Sequence, residues 1–223
     1  MIIEIKHMSK YFGPTAVLND INMQLKSGTV YGFQGINGCG KTMLMRAISG
    51  LIHPTEGEVL IDGHFLTGEN SFPSNMGLLI ETPSFLNNHT GFDNLKMLAG
   101  LCDKPINNNE ILEVLKLMGL SESADKKVKK YSLGMRQRLG IACAIMEKPD
   151  LLILDEPFNS LDESGIECTA QIIKDAKKRG ALIIVACHDH ELLSSVADEI
   201  FKIVAGNITR HLIKDTNGVF CDE

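Results

Sequence analysis

The sequence predicts an α/β core interrupted by a helical insert, and three observations predict it. Gly35-Ile36-Asn37-Gly38-Cys39-Gly40-Lys41-Thr42 fits the phosphate-loop pattern GxxxxGK[ST], with a strand-like run before it and a helix-like run after it. Leu151-Leu152-Ile153-Leu154 and Leu182-Ile183-Ile184-Val185-Ala186 are continuously apolar, as buried parallel strands require. Between these two ends the apolar residues switch to helical spacing.

The elements follow in order. At the N-terminus Ile3 and Ile5 alternate with Glu4 and Lys6, a strand pattern in a β-rich first third. Val30-Tyr31-Gly32-Phe33-Gln34 is β-branched and aromatic, a buried strand feeding the loop. After the loop Leu44, Ala47, Ile48 and Leu51 fall at helical spacing, with Gly50 as a stop. Val59-Leu60-Ile61 reads as a strand turning at Asp62-Gly63. Thr90-Gly91-Phe92-Asp93 fits a capping box that opens a helix through Leu95, Leu98 and Leu101. Asn107-Asn108-Asn109 reads as a polar loop; the next helix carries Ile111, Leu115 and Met118 and stops at Gly119. Ser132 is an N-cap candidate for a helix with Met135, Leu139, Ala142, Cys143 and Met146 on one face. Ile166, Ala170 and Ile173 mark a helix ending at Gly180. Gly206-Asn207, between apolar runs at 201–205 and 208–212, predicts a terminal hairpin. The expected division is one domain, with a core of about 1–85 and 149–223 and a helical subdomain of about 86–148.

Composition narrows the function classes. A net charge of −6 and the lack of a basic run argue against a nucleic-acid partner. The longest apolar run, 182–187, is far below the roughly 18–20 residues a membrane-crossing helix needs. The N-terminus lacks the layout of a signal peptide. Cysteines 39, 102, 143, 168, 187 and 221 form no CxxC pair, which predicts reduced thiols in a cytosolic protein.

The phosphate loop implies a nucleoside triphosphate with Mg²⁺. Glycines let successive backbone N–H groups turn inward around the phosphates, Lys41 supplies a point charge, and the Thr42 hydroxyl can sit on the metal. A dinucleotide fingerprint is excluded because the GxGxxG order is absent, and no NKxD guanine-reading motif occurs. The strand 151–154 runs into Asp155-Glu156-Pro157, placing two carboxylates at a strand's C-terminal edge. The first suits Mg²⁺ and the second can take a proton from an attacking water. Cys39 lies in the loop at a helix N-terminus, which leads to the expectation of a reactive thiol that bound nucleotide with Mg²⁺ protects from alkylation.

Tyr131-Ser132-Leu133-Gly134-Met135-Arg136-Gln137-Arg138, then 151–157, then Asn159-Ser160-Leu161-Asp162, then His188, resemble in order and spacing the ATP-binding cassette (ABC) transporter ATPases. The resemblance covers essentially the whole chain. Ile80-Glu81-Thr82-Pro83-Ser84-Phe85 with Thr90, Asn94 and Leu95 is similar to cassette subunits of bacterial exporters of lantibiotics and related antimicrobial peptides.

The resemblance implies a P-loop NTPase fold with a RecA-like core, an N-terminal antiparallel β region and a helical subdomain insert. It implies ATP and Mg²⁺ as ligands. By it, Gly35, Asn37, Gly38, Cys39, Gly40, Lys41, Thr42 and Met43 contact the nucleotide, and Phe12 (or Tyr11) stacks on adenine. Thr42, Asp155 and Glu81 serve the metal, Glu156 is the general base, and His188 contacts the γ-phosphate. Ser132, Gly134 and Asp162 act at the interface with a second cassette, identical or homologous. The chain departs from the family at Glu81, where a glutamine is usual, and at Leu133, Met135 and Cys39. A peripheral position on the cytoplasmic face of the membrane, against separate transmembrane permease subunits, is also implied. The alternatives are a soluble cassette ATPase acting on ribosomes or DNA, and an ATP-sensing regulatory module.

Overall fold

The alternating N-terminal residues build a sheet of their own. In the structure, a computed structural model describing residues 1–66, 72–101 and 105–222, β1 (Ile2–Phe12) pairs antiparallel with β2 (Thr15–Lys26) and with β4 (Glu56–Ile61). β4 turns back at Asp62 and Gly63, both with positive φ, into the short β5 (His64–Phe65). Two positive-φ residues match the right-handed twist of a hairpin, so Asp-Gly serves well there. Ile3 and Ile5 face inward and Lys6 faces solvent.

The larger sheet has the order β11-β10-β9-β3-β8-β7-β6. Its five strands β3 (Val30–Gln34), β6 (Met76–Leu79), β7 (Leu151–Asp155), β8 (Leu182–Ala186) and β9 (Glu199–Val204) run parallel. The edge is completed by antiparallel β10 (Asn207–Lys214) and β11 (Phe220–Asp222). Both faces are covered, which is why β7 is apolar up to Leu154 and β8 throughout. Leu152, Leu154, Ile183 and Val185 join the helical core, while Leu151, Ile153, Leu182 and Ile184 pack toward α1 (Lys41–Ile48) and the N-terminal sheet.

Between β6 and β7 run α2 (Gly91–Ala99), α3 (Asn108–Leu117) and α4 (Leu133–Ile145). They share one hydrophobic cluster with the sheet: Leu95, Ile111, Leu115 and Leu139 pack in the same core as Leu79 and Leu152. At Gly77 of β6 a Cβ would fall 1.9 Å from the Ala144 carbonyl oxygen, so β6 and α4 touch backbone to backbone. After β7, α5 (Glu163–Lys178) returns the chain to β8, and α6 (His190–Val196) leads to β9.

Several local expectations shift. The Thr90 capping box forms, with Thr90 Oγ1 accepting from Asp93 N at 2.9 Å, but α2 ends at Ala99 and leaves Leu101 exposed. α1 stops at Ile48, with Gly50 at φ 79°. Asn107, read as loop, caps α3: its Oδ1 accepts from the amides of Asn109 and Glu110, and Glu110 reaches back to its N–H. The terminal hairpin turns on Ala205 and Gly206, both at positive φ, one residue earlier than expected, and Asn207 already belongs to β10. The described cysteines are all free, and Cys102 lies outside the described residues. Among the described residues no helix is long and apolar enough to cross a membrane.

Candidate functional site

Strand order assembles the site. β8 lies between β3 and β7, with Phe33 and Asp155 both paired to Ala186. Three strand ends therefore meet: Gln34 and the phosphate loop from β3, Asp155 and Glu156 from β7, Cys187 and His188 from β8. This is the C-terminal edge of a parallel sheet, where ligands bind in such folds.

The loop is shaped by two kinds of glycine. Gly38 and Gly40 take φ of 80° and 114°, which other residues rarely adopt. At Gly35 a Cβ would meet the Ile203 carbonyl oxygen at 2.4 Å and Cys39 Sγ at 2.5 Å. Lys41, buried at the start of α1, donates through Nζ to the carbonyls of Gly35 (2.7 Å) and Ile36 (3.2 Å). Its charge is thus held over the loop mouth by the loop's own backbone. The cleft in front, about 380 Å³, is lined by Asn37, Gly38, Gly40, Lys41, Thr42, Met43, Asp155 and Glu156, with Val17 closing one side.

Thr42 Oγ1 donates to Asp155 Oδ2 at 2.6 Å. Burial raises the Asp155 pKa most; the Glu156 and Glu81 charges raise it further, and the Thr42 hydrogen bond and Lys41 oppose them. A buried carboxylate with a hydroxyl beside it is an oxygen donor set suited to Mg²⁺. Glu156 follows at φ 48°, its N–H donating to Ala186 O at 2.9 Å. One carboxylate oxygen is hydrogen-bonded to His188 Nδ1 at 2.8 Å. The other, Oε1, is buried without a partner among the described residues. That orphaned oxygen is available to a bound ligand or water.

The remaining expected residues fall into three places. Glu81, at φ 61°, pairs with Arg46 Nη2 at 2.7 Å, so its carboxylate sits beside the Thr42–Asp155 pair and not on it. Phe12 stands 52 % exposed at the end of β1, with Lys10 Nζ 5.4 Å from its ring centre; it does not line the cleft, and neither does half-buried Tyr11. Ser132, Gly134 and Asp162 gather around the N-terminus of α4, outside the loop cleft. Ser132 Oγ accepts from Met135 N at 3.2 Å. Gly134 lets the Ser160 carbonyl approach within 2.5 Å of where a Cβ would be. Asp162 caps α5 through Gly165 N (3.1 Å) and pairs with Arg138.

One expectation is corrected. The Cys39 thiol does not face the cleft. It is 4 % exposed, packed in the N-terminal core against Gly35, and does not line the cleft. Its burial removes the accessibility on which the expected alkylation depended. Sequence reasoning also missed Gln137, whose Nε2 donates from α4 to the carbonyls of Glu156 (3.1 Å) and Pro157 (3.3 Å). A glutamine on a helix otherwise read by its apolar residues was the available signal. Val17 and Gln34 carried none.

Comparison with known proteins agrees with this geometry. The family profile described as "ABC transporter" matches residues 18–159. An uncharacterized ABC transporter ATP-binding protein, YybJ of Bacillus subtilis, is 44% identical over 207 residues, covering 93% of this chain and 94% of that protein. The bacitracin transport ATP-binding protein BcrA of Enterococcus faecalis is 38% identical over 97% of this chain and 69% of its own length. The lantibiotic transport ATP-binding protein SrtF of Streptococcus pyogenes is 34% identical over 93% of this chain and 89% of its own. Among solved structures, an ATP binding subunit of an ABC transporter superposes with TM-score 0.85 at 25% identity, covering 95% of this chain and 89% of that one. The dimeric bacterial ABC transporter cassette MJ0796 gives 0.83 at 25% identity, covering 94% and 97%.

Proposed function

The chain belongs to the ABC transporter family as an ATP-hydrolysing cassette, and from that premise we propose how its residues divide the work. It is the ATP-binding subunit of an exporter whose path lies on separate membrane subunits, at the cytoplasmic face of the membrane. The cargo class is an antimicrobial peptide, supported by the bacitracin and lantibiotic transport proteins among its relatives.

The loop N–H groups and Lys41 bind the phosphates of ATP. Thr42 and Asp155 would hold Mg²⁺, which when bound offsets negative charge on the phosphate oxygens. Glu156 takes the proton of the attacking water. His188 holds that carboxylate through Nδ1 and presents its exposed ring to the γ-phosphate. Ser132, Gly134 and Asp162 of a second cassette complete the site, so two copies, or this chain and a homologue, enclose two nucleotides. The observation that carries the reading is the Glu156 carboxylate: one oxygen fixed on His188, the other buried and unpartnered, one residue from the Thr42–Asp155 pair.

The test is Glu156→Gln. Phosphate release by the assembled transporter is expected to fall by about 10²–10⁴-fold, the usual weight of general base catalysis, while MgATP binding persists. Hydrolysis near the parent rate would overturn the assignment.

A further inference from the structure

We propose that Glu156, Cys187 and His188 form a second metal site, specific for a thiophilic divalent ion of the zinc class. One donor atom from each of the three lies within 4.8 Å of the others. Cys187 directly follows β8 and is 1 % exposed, and its neighbour strand β7 delivers Glu156 beside it. Glu156 brings the buried oxygen that has no partner among the described residues. His188 is 58 % exposed along its side chain and gives an ion a path from solvent.

The donor set decides the metal. Sulfur, imidazole and one carboxylate are a zinc-type combination, whereas Thr42 and Asp155 offer only oxygen. Ligand atoms around tetrahedral zinc stand about 3.5 Å apart, given bonds of about 2.0–2.3 Å, so donors as much as 4.8 Å apart must close up while the 2.8 Å hydrogen bond between Glu156 and His188 Nδ1 opens. His188, the exposed member, can supply that movement. Binding forms metal–sulfur, metal–nitrogen and metal–oxygen bonds and releases the thiol proton to solvent, with no change of oxidation state. Burial foremost, with the Glu156 charge, pushes the free thiol up to about 11, so without metal it stays protonated. The fourth position is left open.

Such an ion would take both groups assigned above to hydrolysis, so the site would act as a reversible inhibitory one; this consequence rests on the proposed function, the binding itself does not. The experiment begins with Co²⁺ titrated into the nucleotide-free full chain. A near-ultraviolet thiolate-to-cobalt charge-transfer band at one ion per chain is expected, displaced by Zn²⁺ and lost in Cys187→Ser, with Cys187→Ala as a second variant should serine misfold. In His188→Ala the titration midpoint should rise at least about tenfold, since even loss of a group that only supports a ligand costs about 10–100-fold in affinity. No band, or a band that survives in the Cys187 variants, overturns the site. In the second arm Zn²⁺ is added to MgATP turnover of the transporter. Inhibition at the midpoint of binding supports the site; the band without inhibition leaves the site standing and overturns the roles given to Glu156 and His188.

Discussion

The N-termini of α1 and α4 are built differently, the first on left-handed Gly40 without a side-chain cap and the second on the Ser132 hydroxyl, and they end differently. At 35–42 the chain closes on itself: Lys41 is buried on loop carbonyls, and Thr42 meets Asp155 from a strand more than a hundred residues later. At 132–134 the cap is made, yet Leu133 stands 60 % exposed and Ser132 bonds only its own helix. Both ends offer helix N–H groups suited to anions. What differs is who supplies the surrounding walls. The loop cleft is walled in part by Asp155 and Glu156 of the same chain, whereas Ser132 and Leu133 face solvent.

That contrast can be broken by mutation. The largest effect belongs to Lys41→Ala, which removes a buried charge partner worth about 2–5 kcal/mol, so nucleotide affinity of the isolated chain should fall at least ~30-fold in calorimetric titration. Retained affinity would mean that the first site is not closed by its own lysine. Next is Gly77→Ala, which forces a Cβ onto the Ala144 carbonyl where α4 rests on β6. Overpacking of this kind costs about 1–3 kcal/mol, and differential scanning calorimetry should show a melting temperature several degrees lower. An unchanged melting point would show that α4 is only loosely tied to the core.

Ser132→Ala should cost about 1 kcal/mol as a lost cap and leave ATP binding by the isolated chain intact, while turnover of the assembled transporter drops. A loss of binding like that of Lys41→Ala would erase the difference between the two ends. The smallest effect concerns pH. The Arg138 hydrogen bond, then the Gly165 amide, hold the Asp162 carboxyl below its usual range. The folded pKa lies below the unfolded one, so its contribution is complete above about 3.9 and is lost as pH falls through the folded value. In urea melts the gap between parent and Asp162→Asn should be constant from neutral pH to about 5 and close below about 4.

Much of the fold was legible because its signals are local. Continuous apolar runs marked β7 and β8, Gly180 ended α5, and Thr90 with Asp93 opened α2. The site motifs were legible for the same reason: a loop's backbone geometry demands particular residue types at fixed spacing. What escaped depends on distant partners. No pattern in β8 says that it lies between β3 and β7. Glu81 is held by Arg46, 35 positions away, and Cys39 turns toward Gly35 and the core, against an argument made from the helix terminus alone. Ala205 at positive φ has no composition cue, since alanine is not a residue expected there.

Gln137 has a mechanical side. Its two hydrogen bonds fasten the second turn of α4 to the carbonyls of Glu156, itself in a left-handed conformation, and Pro157. A helix so fastened cannot swing as a rigid body without breaking those bonds or dragging the carboxylate with it. The attitude of α4 and the aim of Glu156 are therefore one degree of freedom. A pull on the exposed Ser132 end of the rod is felt at the Glu156 backbone.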